Sequence, residues 1–293
     1  MNALKGTGVA LVTPFTATGD VDFQAFKRLL HYVIDGGVEY VVVNGTTGES
    51  ATTDSDEKKK LLEIAIEECE GKIGVVFGIG GNNTKQAIKQ LKAFEYKEVM
   101  AILSVSPYYN KPTQEGIYQH YKALSEATPL PLIVYNVPGR TSSNVLAETT
   151  LRLQADFQNI VAVKEASGNL EQIMAIIRDR RKEFLVLSGD DNLTLPIIAL
   201  GGDGVISVSG QGFPHIFSQM VRDALTGNIT EAREKHYRLF EITKLLFAEG
   251  NPGGIKALLA HLGIIKEYLR LPLWPVSEAL RNKIINETKK ILA

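Results

Sequence analysis

Cysteine is almost missing from this sequence: Cys69 is the only one in 293 residues. An intramolecular disulfide is therefore excluded, and the reducing cytoplasm is the expected compartment. An excess of charge of either sign is missing too. The 32 Lys and Arg and the 33 Asp and Glu leave a net charge of −1, which gives no electrostatic footprint for nucleic acid or an anionic membrane. No apolar run approaches the ~18 residues of a membrane span. Near the N-terminus Lys5 is followed only by the short run Val9–Val12, closed by Pro14, so no secretory signal is expected. The N-x-[ST] matches at Asn44-Gly45-Thr46 and Asn82-Asn83-Thr84 then read as chance. Histidine is sparse. The five (His31, His120, His215, His236 and His261) show no H-x-H or HExxH spacing, and no zinc site is expected. A GxSxG elbow, a Walker A loop and a GxGxxG after the first strand are also absent.

What is present is an ordinary globular composition, 44% hydrophobic and 22% charged, which argues against disorder. From Gly6 to about Val221 short β-branched apolar runs alternate with amphipathic, charge-bearing stretches. The runs are Val9–Val12, Tyr40–Val43, Ile73–Phe77, Val99–Val105, Leu132–Tyr135, Ile160–Val163, Phe184–Leu187 and Gly204–Val208. Apolar on both faces, they suit a buried parallel sheet. Asp22–Ile34, Asp56–Cys69, Thr84–Tyr96 and Asn169–Lys182 carry apolar residues at helical spacing, and Asn169 with Gln172 has the spacing of a helix-start cap. Such a series predicts a (β/α)8 barrel over residues 1–226. After Gly227 the strand signals stop. Thr230–Glu249, Gly254–Leu262 and Ser277–Leu292 read as helices punctuated by Pro252, Pro272 and Pro275, giving a C-terminal helical domain over 227–293.

In such a barrel the working residues lie at the C-terminal ends of the strands. Lys164 closes the apolar run from Ile160 to Val163. A lysine there costs desolvation energy unless its amine is paired or neutral. A neutral amine forms a Schiff base with a ketone or aldehyde, whereas an ion pair with Glu165 would be purely structural; position alone leaves both open. Tyr135 ends the fifth run and could move protons during imine formation, or simply pack. Tyr108 and Tyr109 follow the fourth run with the same two readings. Thr46 and Thr47, flanked by Gly45 and Gly48, form either a small cradle for a carboxylate or a turn capping the helix near Thr53. Arg140, on the turn after Tyr135, suits a bidentate carboxylate contact or plain solvent exposure.

Six motifs in order connect these residues: GTTGES at Gly45–Ser50, PYYNKPTQEG at Pro107–Gly116, YNVPGRT at Tyr135–Thr141, KEASGN at Lys164–Asn169, SGDD at Ser188–Asp191 and GVISV at Gly204–Val208. On them the chain closely resembles the pyruvate-dependent, N-acetylneuraminate-lyase-like aldolases, and within these the dihydrodipicolinate synthases. The resemblance covers almost the whole chain. It implies a lyase of diaminopimelate and lysine biosynthesis that condenses pyruvate with L-aspartate-4-semialdehyde and needs no metal or organic cofactor. It implies that Lys164 forms the imine and Tyr135 donates and accepts protons. Thr46 and Tyr109 complete a hydroxyl relay, with Tyr109 reaching in from a neighbouring subunit. Thr47 would bind the pyruvate carboxylate and Arg140 that of the second substrate, while Gly189 and the backbone of Ile206 line the pocket.

The same resemblance implies a homotetramer built as a dimer of dimers, or a homodimer. Sugar-acid lyases share the lysine and Tyr135, but Tyr108-Tyr109 and the Arg140 turn favour the synthases. A barrel that has kept only a binding role is the reading from another class. Many bacterial members are inhibited by lysine at a dimer-interface site, whose matching positions here include Ser50, Ala51, Asn82 and Tyr108. Ser55, Lys58 and Gln86 stand where lysine-sensitive members carry His, His and Glu, so weak or absent inhibition is expected. Asn251-Pro252-Gly253-Gly254-Ile255-Lys256 replaces the more common NPIPVK pattern, and its two glycines are expected to loosen that turn.

Overall fold

The computed structural model describes residues 2–93 and 98–293. Among these, eight strands run in chain order: β1 (Gly6–Ala10), β2 (Tyr40–Val43), β3 (Gly74–Gly78), β4 (Ala101–Val105), β5 (Leu132–Asn136), β6 (Ile160–Glu165), β7 (Leu185–Ser188) and β8 (Gly204–Ser207). Each pairs in parallel with the next, and β1 pairs with β8 to close the barrel. The helices are α1 (Phe23–Asp35), α2 (Ser55–Cys69), α3 (Thr84–Ala93), α4 (Gln114–Ala127), α5 (Pro138–Thr141), α6 (Ala147–Asp156), α7 (Leu170–Asp179), α8 (Thr194–Ala199), α9 (Pro214–Leu225), α10 (Ile229–Phe247), α11 (Gly253–His261) and α12 (Glu278–Leu292). The expected (β/α)8 barrel is the observed fold. The last three residues of the helix expected over Thr84–Tyr96 lie outside the described residues.

Strand alternation sorts the core into two layers. Tyr40, Val42, Ile133 and Ala162 point into the barrel, while Val41, Val43, Val134 and Val163 point out against the helices. Tyr40 fills the barrel bottom because Gly8 on the adjacent strand has no side chain: a Cβ there would lie 2.1 Å from the Tyr40 ring. That glycine is also why β1 begins three residues before the apolar run Val9–Val12. Its opening Gly-Thr-Gly has weak strand propensity, but closing the barrel against β8 recruits it.

Helix starts follow the capping chemistry. Asp54 accepts from the Asp56 and Glu57 amides while Glu57 returns a bond to the Asp54 amide, so the turn at 45–49 is not the cap of α2. Asn169 accepts from the Gln172 amide at 3.1 Å, as its spacing predicts. Helix α7 stops at Asp179, short of the expected Lys182. Arg180 turns out of the helix to bind Asp203 and the Phe184 and Gly201 carbonyls.

Beyond the barrel, α10 packs on α9, and α12 packs on α10 and α11. Gly253 and Gly254 do not form a loose turn. Both are buried at the start of α11, and a Cβ on Gly254 would come within 2.3 Å of the Leu246 carbonyl oxygen. The glycines let two helices approach. Among the described residues no helix is long and apolar enough to cross a membrane.

Candidate active site

A cavity of about 1170 Å³ opens at the C-terminal ends of the strands. Thr46, Thr47, Tyr108, Tyr135, Arg140, Lys164 and Gly189 line it together. Ser50 and Ala51 line the same cavity, whereas Asn82, Tyr109 and Ile206 do not. Ile206 is 1% exposed and belongs to the barrel's interior layer.

Lys164 faces this cavity because it follows Ala162 by two residues on a strand whose inward positions alternate. It is 5% exposed. It sits in register with Tyr135 on β5 and Leu187 on β7, and its Nζ lies 4.3 Å from the Tyr135 ring centroid. Among the described residues no carboxylate lies within ion-pairing distance of that amine. Glu165 points the other way, into the strand–helix layer. Its carboxylate accepts from Asn136 Nδ2 at 3.0 Å, the Ser167 amide at 2.9 Å and Gln172 Nε2 at 2.9 Å. Burial pushes the Glu165 carboxyl above its ordinary range, and these donors pull it back. The Lys164–Glu165 ion pair left open by the sequence is not formed. Gly189 is needed for close approach: a Cβ there would lie 2.7 Å from the Ala166 Cβ and 3.0 Å from Lys164 Cε.

The Arg140 turn is strapped to the same outward network. Asn136 Nδ2 donates to Asn144 Oδ1 at 2.8 Å, its Oδ1 accepts from the Val145 amide at 2.9 Å, and Asn144 Nδ2 donates to Gln172. The short helix α5 thereby presents an exposed Arg140 at the cavity. Among the described residues its guanidinium has no carboxylate partner.

The Gly45–Glu49 turn closes on itself through Gly48 N to Gly45 O and Glu49 N to Thr46 O, both 3.1 Å. Thr13 Oγ1 donates to the Gly48 carbonyl at 2.6 Å. Glu49 takes a left-handed backbone, φ +54, a cost that surrounding contacts must offset. Its side chain and that of Lys256 are both 0% exposed, and they form an ion pair. Lys256 Nζ also donates to the Tyr268 carbonyl at 2.8 Å, and the Arg270 amide donates to Glu49 Oε2 at 3.1 Å. Burial pulls the Lys256 ammonium below its ordinary range, and the Glu49 carboxylate opposes that shift. Asn251 Nδ2 reaches Thr47 Oγ1 at 3.0 Å.

In the sequence Asn251 and Lys256 stand only as part of the turn pattern at 251–256, with no role at this site. The signal for Lys256 was available: it lies between Ile255 and the run Ala257-Leu258-Leu259, where the desolvation argument made for Lys164 applies equally. Nothing in the sequence points to Asn251 as a partner of Thr47. Asp191 was noted only as part of a motif. Its Oδ2 accepts from the Val208 and Ser209 amides and from Ser209 Oγ, fixing the loop after β8. Burial and the neighbouring Asp191 raise the carboxyl of Asp190, which lines the cavity.

Tyr109 stands apart. It is 87% exposed and has φ +72, an outlier for a bulky side chain. It is not part of the cavity lining of its own chain.

Comparison with known proteins agrees with this geometry. Residues 3–291 match the Dihydrodipicolinate synthetase family. The 4-hydroxy-tetrahydrodipicolinate synthase of Flavobacterium psychrophilum is 52% identical over 291 residues, 99% of each chain. The solved dihydrodipicolinate synthase of Thermotoga maritima superposes with a TM-score of 0.96 at 43% identity, covering 98% of both chains. A dihydrodipicolinate synthase variant described as monomeric superposes with a TM-score of 0.96 at 42% identity, covering 99% of this chain and 97% of that one. With a match over nearly every residue and a barrel that superposes throughout, the chain belongs to the dihydrodipicolinate synthetase family.

Proposed function

We propose that this chain is a lyase condensing pyruvate with L-aspartate-4-semialdehyde to 4-hydroxy-tetrahydrodipicolinate, the first committed step of diaminopimelate and lysine biosynthesis. The observation that carries the reading is Lys164: a buried amine at a strand end, in a cavity, with no carboxylate to hold it among the described residues. The lone pair of neutral Lys164 adds to the ketone carbon of pyruvate. Tyr135 gives a proton to the departing hydroxyl, and water leaves. The protonated imine draws electrons from the neighbouring methyl group, which loses a proton to become an enamine. That carbon attacks the aldehyde carbon of the second substrate, and the aldehyde oxygen takes up a proton. The substrate's own amine then attacks the imine carbon, closing the ring and expelling Lys164 as free amine.

Each stage moves a proton at a different atom, which suits a relay of hydroxyls from Thr46, Tyr135 and Tyr109. Thr47 holds the pyruvate carboxylate and the exposed Arg140 that of the semialdehyde. Gly189 completes the pocket around the imine. Holding both substrates in one cavity supplies much of the rate. The barrel over 1–226 carries the chemistry, and the helices of 227–293 close one wall of the cavity.

An exposed tyrosine in a strained backbone makes sense if its partner is another copy of the chain. Tyr109 then completes the relay of a neighbouring subunit, and the working unit is a homodimer or a dimer of dimers. Light scattering on active protein tests this; a fully active monomer overturns it. The compartment is the cytoplasm, consistent with a single buried, unbridged cysteine.

The test of the whole reading is a coupled assay with both substrates and the next reductase, run beside Lys164→Ala. Turnover lost in the variant supports it. If the wild type is silent, borohydride trapping of pyruvate with mass spectrometry follows: an adduct on Lys164 assigns a sister aldolase using another aldehyde, and no adduct removes the family chemistry.

A further inference from the structure

The C-terminal helices reach the turn that follows β2 at two points. Lys256 pairs with Glu49, and five residues earlier Asn251 Nδ2 meets Thr47 Oγ1 at 3.0 Å. Both contacts are buried. The first leaves little freedom to the second, because the Lys256 amide donates to the Pro252 carbonyl at 3.0 Å and Gly254 is pressed against Leu246. Asn251 is therefore delivered to Thr47 by a rigid piece of chain.

The direction of that hydrogen bond matters. A threonine hydroxyl has one proton to give and lone pairs to accept with. Where the Asn251 amide donates, the Thr47 oxygen accepts and its own proton is left free. Among the described residues that proton has no acceptor, and Thr47 lines the cavity. Asn251 Oδ1, on a side chain 7% exposed, has no hydrogen-bond partner either, so the carboxamide is held by its donor end alone.

We propose that Asn251 is a positioning residue for the first substrate: its carboxamide occupies the Thr47 lone pair, so that the Thr47 proton is offered to the carboxylate of a small keto acid. The inference rests on the reading of Thr47 as the carboxylate ligand given above. It assigns to the helical tail a part in substrate affinity through one named contact.

The test is a double-mutant cycle on the full-length enzyme, read as KM for pyruvate, KM for the semialdehyde, kcat, and the pyruvate concentration giving half-maximal borohydride trapping. Losing one oriented hydrogen bond to a charged group is worth about tenfold. Asn251→Ala should therefore raise both pyruvate readouts about tenfold while kcat and the semialdehyde KM move less than about threefold. In a Thr47→Val background the same change should add nothing further. Asn251→Asp, nearly isosteric, guards against a folding failure. It can only accept, so it takes the Thr47 proton and sets a negative charge beside the anion, and its pyruvate readouts should exceed those of the alanine variant.

If Thr47→Val weakens pyruvate but Asn251→Ala does not, this inference fails and the reading of Thr47 stands. If the two effects multiply in the double variant, Asn251 acts by another route and the inference fails. If Thr47→Val leaves pyruvate unchanged, the carboxylate role of Thr47 falls and the inference falls with it.

Discussion

Gly189 and Lys164 are in such close contact that a methyl group on the glycine would sit 3.0 Å from Lys164 Cε and 3.1 Å from its Cγ. The lysine chain can yield only by moving its amine. Gly189→Ala is expected to lower kcat/KM for pyruvate by about 100-fold, the cost of misplacing a reacting atom by an ångström. The melting temperature should fall as well, since the Ala166 Cβ, 2.7 Å from the added methyl, is fixed to the backbone and cannot move aside. Steady-state kinetics and a thermal melt on one preparation check both.

Glu165 is the buried acceptor for three donors from three segments. Glu165→Ala strands Asn136, Ser167 and Gln172 and should cost about 2–4 kcal/mol of stability in urea unfolding. Asn136 also anchors the turn carrying Arg140, so the KM for the semialdehyde should rise more than that for pyruvate.

His120 on α4 is 4% exposed. Its Nδ1 contacts Thr84 Oγ1 at 2.9 Å, and among the described residues its Nε2 has no partner. Burial pushes it down from 6.5 to about 4. Between these values the unfolded chain binds a proton that the folded chain refuses. Stability from this group is complete above pH 6.5 and is lost as pH falls toward 4, by about 2–3 kcal/mol in all. His120→Gln should flatten the difference in stability between pH 6.5 and pH 4, measured by urea unfolding at each pH.

Lys58 lines the cavity with Ser50, Ala51 and Tyr108, and Gln86 is an exposed side chain on α3. A lysine ligand would bring a second ammonium group toward Lys58 and find an amide at Gln86 in place of a carboxylate. Free lysine is therefore expected to leave the rate unchanged at sub-millimolar concentration. A lysine titration of the coupled assay measures it, and potent inhibition there refutes the argument.

The barrel was legible because its signal is local: β2 is read to the residue from Tyr40 to Val43, and Asn169 and Asp22 announce their helices. The cavity residues could be located because barrel strands end at the working face: Lys164, Tyr135, Thr46 and Thr47 lie at strand ends and Arg140 on the turn just beyond, whereas the role of Gly189 comes only with the family resemblance. What was illegible depends on distance along the chain. Glu49 and Lys256 are 207 residues apart and Thr47 and Asn251 are 204 apart. No periodicity reports such pairs. Even so, a lysine between apolar neighbours flags that Lys256 needs a partner, without saying which. Local reading also missed the start of β1, where glycines signal a turn and only the Tyr40 ring explains them.

That separation governs the order in which the enzyme can be made. A ribosome has emitted all eight strands once Ser207 is out, but part of the core packed around them, including Leu239, Ile242, Leu246 and Leu258, is still to come. The turn after β2 still lacks Asn251 and the Lys256–Glu49 lock, both encoded in the final stretch of message. A message cut short after α9 would therefore lack both these core side chains and the contacts that finish the site.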